Sequence, residues 1–434
     1  MKQHFSLRAS VCLALATMAS SSVLAAGFQV NEHSANGFGR AMAGQAATPE
    51  NASILATNPA AITEFDTAQF SGQISFIDPN IDIRGSMETT VGDATIPQDV
   101  NENDIATTAL VPSFFYTSPI NDKFSWGVGA FTNYGLATDY SEGFNALHFA
   151  DDAEVTSFTL NPVVAYKVSD TLSLGFGLNI TYAEAEIGTS IPQAFGTLLG
   201  NEALGNLTVI KMQGDDVGYG YNLGALWKPT ETTKLALSYR SETKLNLEGE
   251  IESDLGVLIP AVAELYNQDG SLDLDFSAIT EIAVDQKVDD KVSLQASIVL
   301  TQWSSFDELN AELVSGDDLL LKEEDFEDSL RVSIGGTYLY NDKLTLRAGY
   351  AFDEGAVSFE HRSLSIPDTD RQWYTVGATY DVTDNTSVDL AYAYIKGREA
   401  QVSQQRAIGS IVSDLTATEH AFANVFSLQV NTSF

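Results

Sequence analysis

The sequence holds one cysteine, Cys12, and it falls within the first two dozen residues. Downstream of it there is no thiol, which excludes disulfides, thiolate nucleophiles and cysteine-ligated metals. Basic charge is scarce as well. Twenty-two Lys and Arg stand against 59 Asp and Glu, for a formal net charge of −37. A chain of that sign repels polyanions, which argues against nucleic acid or an anionic lipid surface as a partner. After residue 25 no apolar run approaches the roughly 20 residues that a membrane helix requires. Catalytic signatures are missing too: there is no Gly-x-Ser-x-Gly elbow, no P-loop and no His-Glu-x-x-His. His33, His148, His361 and His420 are scattered without ligand spacing. A lipase would need a Ser–His pair on its wall, with His148 or His361 as base, and no such pairing is expected. The acidic pairs Asp151-Asp152 and Asp317-Asp318 are read as solvated loop charge rather than cation sites. The expectation is therefore no enzyme, no cofactor and no metal.

What is present begins with a secretory signal. Lys2 and Arg8 give a positive start, Val11–Leu24 is a short apolar run, and Val23-Leu24-Ala25 supplies the small residues of a cleavage site. The run is too short to cross a ~30 Å hydrocarbon core as a helix. Residues 1–25 are assigned to the signal, and the mature chain is expected to start at Ala26.

The rest is 44% hydrophobic overall, spread in short stretches and rich in glycine, with 32 in the chain. Its dominant pattern is alternation. Leu172, Leu174, Phe176, Leu178, Ile180 and Tyr182 occupy one face of 172–182, and Ser173, Gly175, Gly177, Asn179 and Thr181 the other. That is the period of a strand with one side in lipid. The pattern recurs at 124–134, 217–227, 330–340, 344–352 and 422–434, and more weakly at 68–83, 106–117, 154–167, 233–248, 271–286, 291–302, 372–382 and 386–395. Fourteen strands result. Short links rich in Asp, Asn, Lys, Pro and Thr, such as 168–170 and 341–343, alternate strictly with long ones, such as 84–105, 184–214, 303–328 and 396–420. Short turns at one rim and long loops at the other characterise bacterial outer-membrane barrels, whose closure leaves no unpaired strand edge in lipid. The expected fold class is all-β, a 14-stranded antiparallel transmembrane β-barrel over residues 67–434. The chain stops on an aromatic, Phe434, closing an amphipathic last strand. Such an ending resembles the signal read by the outer-membrane insertion machinery, which is expected as a partner.

Residues 26–66 break the alternation. They combine Gly37, Gly39 and Gly44 with many alanines and the run Asn58-Pro59-Ala60. Small residues permit close backbone packing, and Pro59 resists helix or ladder. A fourteen-stranded barrel leaves an aqueous hole unless filled, so this segment is expected to be a plug.

Several blocks closely resemble the FadL-type long-chain fatty acid transporters of the bacterial outer membrane. They are Ala26-Gly27-Phe28-Gln29, Gly37-x-Gly39-Arg40-Ala41, Asn58-Pro59-Ala60, Asn133-Tyr134-Gly135-Leu136, Tyr239-Arg240-Ser241-Glu242, Trp303-Ser304-x-Phe306 and Ser365-Ile366-Pro367-Asp368-x-Asp370-Arg371-x-Trp373. The resemblance implies an N-terminal hatch carrying Asn58, Pro59 and Ala60, and a ligand pocket entered by Phe28. It implies a third strand kinked inward near Gly135, opening a gap through which an apolar ligand leaves sideways into the membrane. It also implies that Lys322 lies near the ligand's charged head. The family's second cation, an arginine after strand five, aligns here with Thr189.

Two long links, 191–210 and 255–266, are strongly apolar, as expected for a patch that first collects ligand. The alternative is that these loops pack on each other. Burying a sixteen-carbon chain offers on the order of 10 kcal/mol, against ~1.5–3 kcal/mol for one charged hydrogen bond. Hydrophobic capture is therefore expected to dominate. The function implied is transport of long-chain fatty acids, with outer-membrane lipid around the barrel. The alternative is uptake of neutral hydrophobic compounds such as aromatic hydrocarbons, which the missing arginine would suit. A general porin would lack the plug and the apolar loops, and a purely structural barrel would lack the hatch motif.

Overall fold

Alternation places the side chains where lipid requires them. Leu174, Phe176 and Leu178 point outward, between 43% and 49% exposed, while Ser173 and Asn179 beside them are buried. Strand after strand repeats this, so the apolar side chains left open form a continuous outer belt rather than scattered surface hydrophobes. Aromatic side chains rim it. On one strand Tyr219 and Trp227 are both exposed, and eight residues at ~3.3 Å rise with a tilt of about 40° separate them by roughly 20 Å along the barrel axis. That matches the height of a lipid-facing band.

The computed structural model describes residues 27–198, 200–257, 266–316, 318–408 and 411–434. The segment 1–25 read as a signal, together with Ala26, lies outside the described residues. Antiparallel pairing runs around the ring and closes where the first strand, Gln69–Val91, meets the last, Ile411–Ser433, in register from Gln69↔Ser433 to Val91↔Ile411. Twenty-one strand segments form one sheet, and seven of the fourteen wall strands consist of two segments separated by a bend.

The long links differ from the sequence expectation. Residues 84–105 are no loop: the first strand continues to Val91 and turns into Ala94–Glu102, paired from Val91↔Ala94 to Ile83↔Glu102. Link 184–214 is shortened in the same way by strands Leu172–Ser190 and Thr208–Trp227, and 396–420 by Ala400–Ile408 paired to the last strand. Strands of 23 residues are roughly twice the 9–11 needed to cross a membrane. Above the lipid both faces of a strand meet water or loop, so apolar alternation ceases while backbone pairing does not.

Residues 27–65 fill the lumen. From Gly27 to Ala47 every residue is buried. Short helical turns at Ala35–Phe38, Gln45–Ala47, Ala52–Ala56 and Pro59–Glu64 pack against strands all round the ring. Asn58 acts as an internal strut: its Oδ1 accepts from the Ala60 amide at 3.0 Å, and its Nδ2 donates to the carbonyls of Ala46 (2.8 Å) and of Ala225 on the wall (3.2 Å). The wall makes room for it. A Cβ on Gly175 would lie 2.3 Å from the Ala60 nitrogen, and one on Gly224 2.0 Å from the Asn58 Oδ1.

A charged clasp ties the plug to the opposite wall. Glu50 accepts from Arg40 Nη1 at 2.6 Å and from Arg347 Nη2 at 2.9 Å. Burial acts to raise the Glu50 carboxyl, but Arg347 and Arg40 overcome it and hold it at about 2. A carboxyl with a lowered folded-state pKa stabilises fully above its unfolded value near 4.5 and loses that contribution as pH falls through about 2. Plug amides from Ala35 to Ile62 should therefore keep their hydrogen-exchange protection at pH 5 and lose it toward pH 2. Glu50→Gln should weaken plug docking already at neutral pH, by ~2 kcal/mol given that Glu50 is partly exposed. Unchanged protection of the variant at pH 7 would refute the clasp.

Candidate functional site

Phe28 stands at the centre of an aromatic cluster. Its ring lies 4.8 Å from Trp303, 5.3 Å from Phe306, 5.9 Å from Tyr134 and 6.1 Å from Phe276. The preceding Gly27 has φ +59°, and a Cβ there would sit 2.7 Å from the Trp303 ring, so only glycine lets the chain enter at this angle. Asp368 fixes that entry. Its Oδ1 accepts from the Gly27 amide at 3.1 Å and from Arg371, while Oδ2 accepts from the amides of Ala356 and Val357. The Ser365–Trp373 block singled out in the sequence thus holds the amino end of the plug.

Phe28, Leu136, Val155, Met212, Leu274 and Phe306 line a narrow apolar crevice above the plug. Within the plug, burial pushes the Glu32 carboxyl up to about 7 and the His33 imidazole down to about 3. Ile187 also lines a second crevice, toward the outer end of the barrel. There Phe149, Ile210 and Leu321 meet Thr189, Lys322 and Arg406. Ile187 is common to the two crevices, so they lie next to each other, the inner one apolar and the outer one carrying the cations.

The third strand is interrupted beside these crevices. It runs as Phe124–Phe131, breaks, and resumes as Gly135–Asp139. Every residue from Phe131 to Thr138 is buried, so the outward half of the alternation is lost and the chain has left the lipid face. Its ladder to the second strand stops at Phe114↔Ala130, and only the bridge Ala106↔Thr138 rejoins them. The freed donors and acceptors are taken up by the plug's amino end. Val30 donates to the Asn133 carbonyl at 2.6 Å and Gly135 to the Phe28 carbonyl at 2.8 Å. The strand break just before Gly135 is latched to the residues around Phe28.

Lys322 does not lie in a loop. It belongs to the strand segment Asp318–Glu323, paired with Glu308–Leu313, because the long link 303–328 is largely a hairpin above the membrane. Its ammonium pairs with Glu324 at 2.6 Å and donates to the Ser363 hydroxyl. Burial pushes the Glu324 carboxyl up, with Lys322 opposing it. Thr189 is buried in the same crevice, its hydroxyl without a hydrogen-bond partner. Positions 189 and 322 are thus brought together from opposite halves of the chain. Arg406, which the sequence reading passed over, joins them. Two-residue phasing from the buried Val402 places Gln404 and Arg406 on the inner face of Ala400–Ile408, a signal available in the sequence once that stretch is read as a strand.

Of the two apolar links, Ile191 and Phe195 in 191–210 are buried in one cluster with Phe144, Leu147 and Phe149 of the neighbouring loop. That stretch packs inward rather than forming an open patch. Residues 258–265 of the other link lie outside the described residues, and so does Asp317. Asp151 and Asp152 are held by neighbours: Ser190 donates to Asp151, and Lys211 approaches Asp152 at 3.7 Å. Among the described residues no cluster of His, Cys, Asp or Glu is arranged to hold a metal.

Residues 16–434 match the family described as outer membrane protein transport protein (OMPP1/FadL/TodX). The chain belongs to this family. Its relatives include the long-chain fatty acid transport protein of Escherichia coli K12, 34% identical over 87% of this chain and 90% of that one. Outer membrane protein P1 of Haemophilus influenzae is 33% identical over 94% and 95%. Among solved structures, a Pseudomonas aeruginosa FadL homologue superposes with a TM-score of 0.84 at 24% identity, covering 94% of this chain and all of that one. The Pseudomonas putida toluene transporter TodX gives 0.62 at 17%, over 88% and 94%, a likeness of fold alone. This FadL-type protein is an outer-membrane barrel of a family of hydrophobic-compound transporters, and its plug, interrupted third strand and adjacent crevices are built on that scaffold.

Proposed function

We propose that the protein carries long-chain fatty acids inward, without chemical change, by hydrophobic capture in the crevice, plug-gated release and sideways exit at the third-strand kink. The observation that supports this most is the amphipathic path itself: one end lined by Phe28, Leu136 and Met212, the other by Lys322, with Ile187 common to both. The tail supplies most of the affinity and the cationic end fixes which way round the acid enters. An ammonium has three donors, and Glu324 and Ser363 occupy two of them, leaving one for a ligand oxygen. The named relative in Escherichia coli transports long-chain fatty acids, which agrees with this reading. Residues Asn58, Pro59 and Ala60 act as the anchored part of the hatch, and the segment around Phe28 as its moving part. The exposed terminal Phe434 is the end presented to the insertion machinery.

A second reading, uptake of neutral hydrophobic compounds, is favoured by Thr189 at the family's arginine position and by the neutralisation of Lys322 by Glu324. Lys322→Ala separates the two. Carriage of acids requires palmitate binding to fall about tenfold while binding of a neutral alkane stays within about twofold. An equal loss for both ligands would remove Lys322 from the head-group site and leave the neutral reading standing.

A further inference from the structure

Arg406 lines the outer crevice with Thr189 and Lys322, half-buried on the inner face of the thirteenth wall strand. Among the described residues no carboxylate pairs with it and no hydrogen bond engages its guanidinium, although the crevice removes much of its hydration. Lys322, by contrast, already faces Glu324. His148, close by, adds no charge, because burial pushes it down to about 3. The uncompensated positive charge of this crevice is therefore Arg406. A half-desolvated guanidinium with five donors and no anion is an incomplete arrangement that a carboxylate completes, through two parallel hydrogen bonds. Polar groups suited to the same ligand stand around it: the unpartnered Thr189 hydroxyl and the Gln404 side-chain amide. A tail leaving this point inward passes Ile187 into the apolar crevice.

We propose that Arg406 is the second head-group cation of this protein, binding the ligand carboxylate together with Lys322 from the opposite side of the barrel to Thr189. The charge that the family pattern places after the fifth strand has moved to the outer extension of the thirteenth, and Thr189 is left as a neutral hydrogen-bond donor. Acid selectivity is kept with Thr189 at the position where the family resemblance places an arginine. This rests on the fatty-acid reading above and deepens it.

The test compares palmitate with hexadecanol, which share a tail and differ in the charged head, on purified full-length protein in detergent. Wild type, Arg406→Gln and Arg406→Lys are measured, each first shown to be a folded barrel by its heat-modifiable migration. The expected result is that Arg406→Gln weakens palmitate binding about tenfold or more and leaves hexadecanol unchanged, while Arg406→Lys retains most of the palmitate affinity. Palmitate bound as tightly by Arg406→Gln as by wild type overturns the assignment of Arg406 and leaves the transport reading intact. Parallel loss of palmitate and hexadecanol overturns it as well, since that is what a purely structural role would give. Wild type that binds neither ligand defeats the transport reading itself.

Discussion

Gly175→Val is expected to unseat the plug and turn a closed barrel into an open one. At Gly175 the plug backbone comes close against the wall: a Cβ there would fall 2.3 Å from the Ala60 nitrogen and 2.4 Å from the Pro59 carbonyl carbon. Both are backbone atoms of a turn fixed by Asn58 and the Pro59 ring, so no side-chain rotation relieves the clash. Overpacking of this kind costs ~1–3 kcal/mol even where neighbours can shift. Here the shift also stretches the Asn58 bonds to Ala46 and Ala225. The barrel itself should survive, because the fifth strand keeps its pairing on both sides and the new side chain points into the lumen. A fourteen-stranded ring without its filling conducts water and ions. Planar-bilayer recordings should show steady conductance for Gly175→Val and for Gly224→Val, and near closure for the wild type. Sealed channels in both variants, with the valines present and the barrel folded, would mean that the Asn58–Ala60 turn does not seat where the structure places it.

The second large effect is expected from Phe28. Truncating a buried Phe costs ~3–5 kcal/mol, and here four aromatic neighbours lose contact at once. The loss falls on local docking rather than on the barrel, since the backbone of residues 28–30 bonds to the wall at the third-strand kink and not within a barrel ladder. Phe28→Ala should raise the hydrogen-exchange rates of the Val30 and Gly135 amides, whose partners are Asn133 and Phe28. It should also weaken palmitate binding at least tenfold, because Phe28 is a wall of the apolar crevice. Deleting residues 26–30 should do the same more completely. Full affinity in that deletion would show that the amino end neither lines nor gates the site.

The parts of this molecule that were plain in the sequence are those where lipid imposes a rule. Leu174, Phe176 and Leu178 had to alternate with Ser173 and Asn179, so the wall strands could be counted from residue types alone. The outer extensions were hidden for the opposite reason. Segments such as Ala94–Glu102 and Ala400–Ile408 are held by backbone pairing above the membrane, where no apolar face is demanded. The plug showed itself as small residues without period, but its seat did not, since the glycines it needs lie on strands more than a hundred residues away. The same distance concealed the site. Lys322 and Thr189 were reached through a family pattern, whereas Arg406 occupies a position that pattern does not mark. Only the closed register of the ring brings the thirteenth strand round to face them. Phe28 was recognisable as a site residue by motif, but its clamp by Asp368 through Gly27 depends on a contact between the two ends of the chain.

Photo-crosslinking with a long-chain fatty acid carrying a diazirine near its methyl end, followed by peptide mapping, tests the amphipathic path most directly. The expected labels lie on the peptides around Phe28, Leu136, Met212 and Leu274, competed by unlabelled palmitate and diminished in Lys322→Ala. Labels confined to the outward belt, on peptides carrying Leu174, Tyr219 and their lipid-facing neighbours, would contradict it.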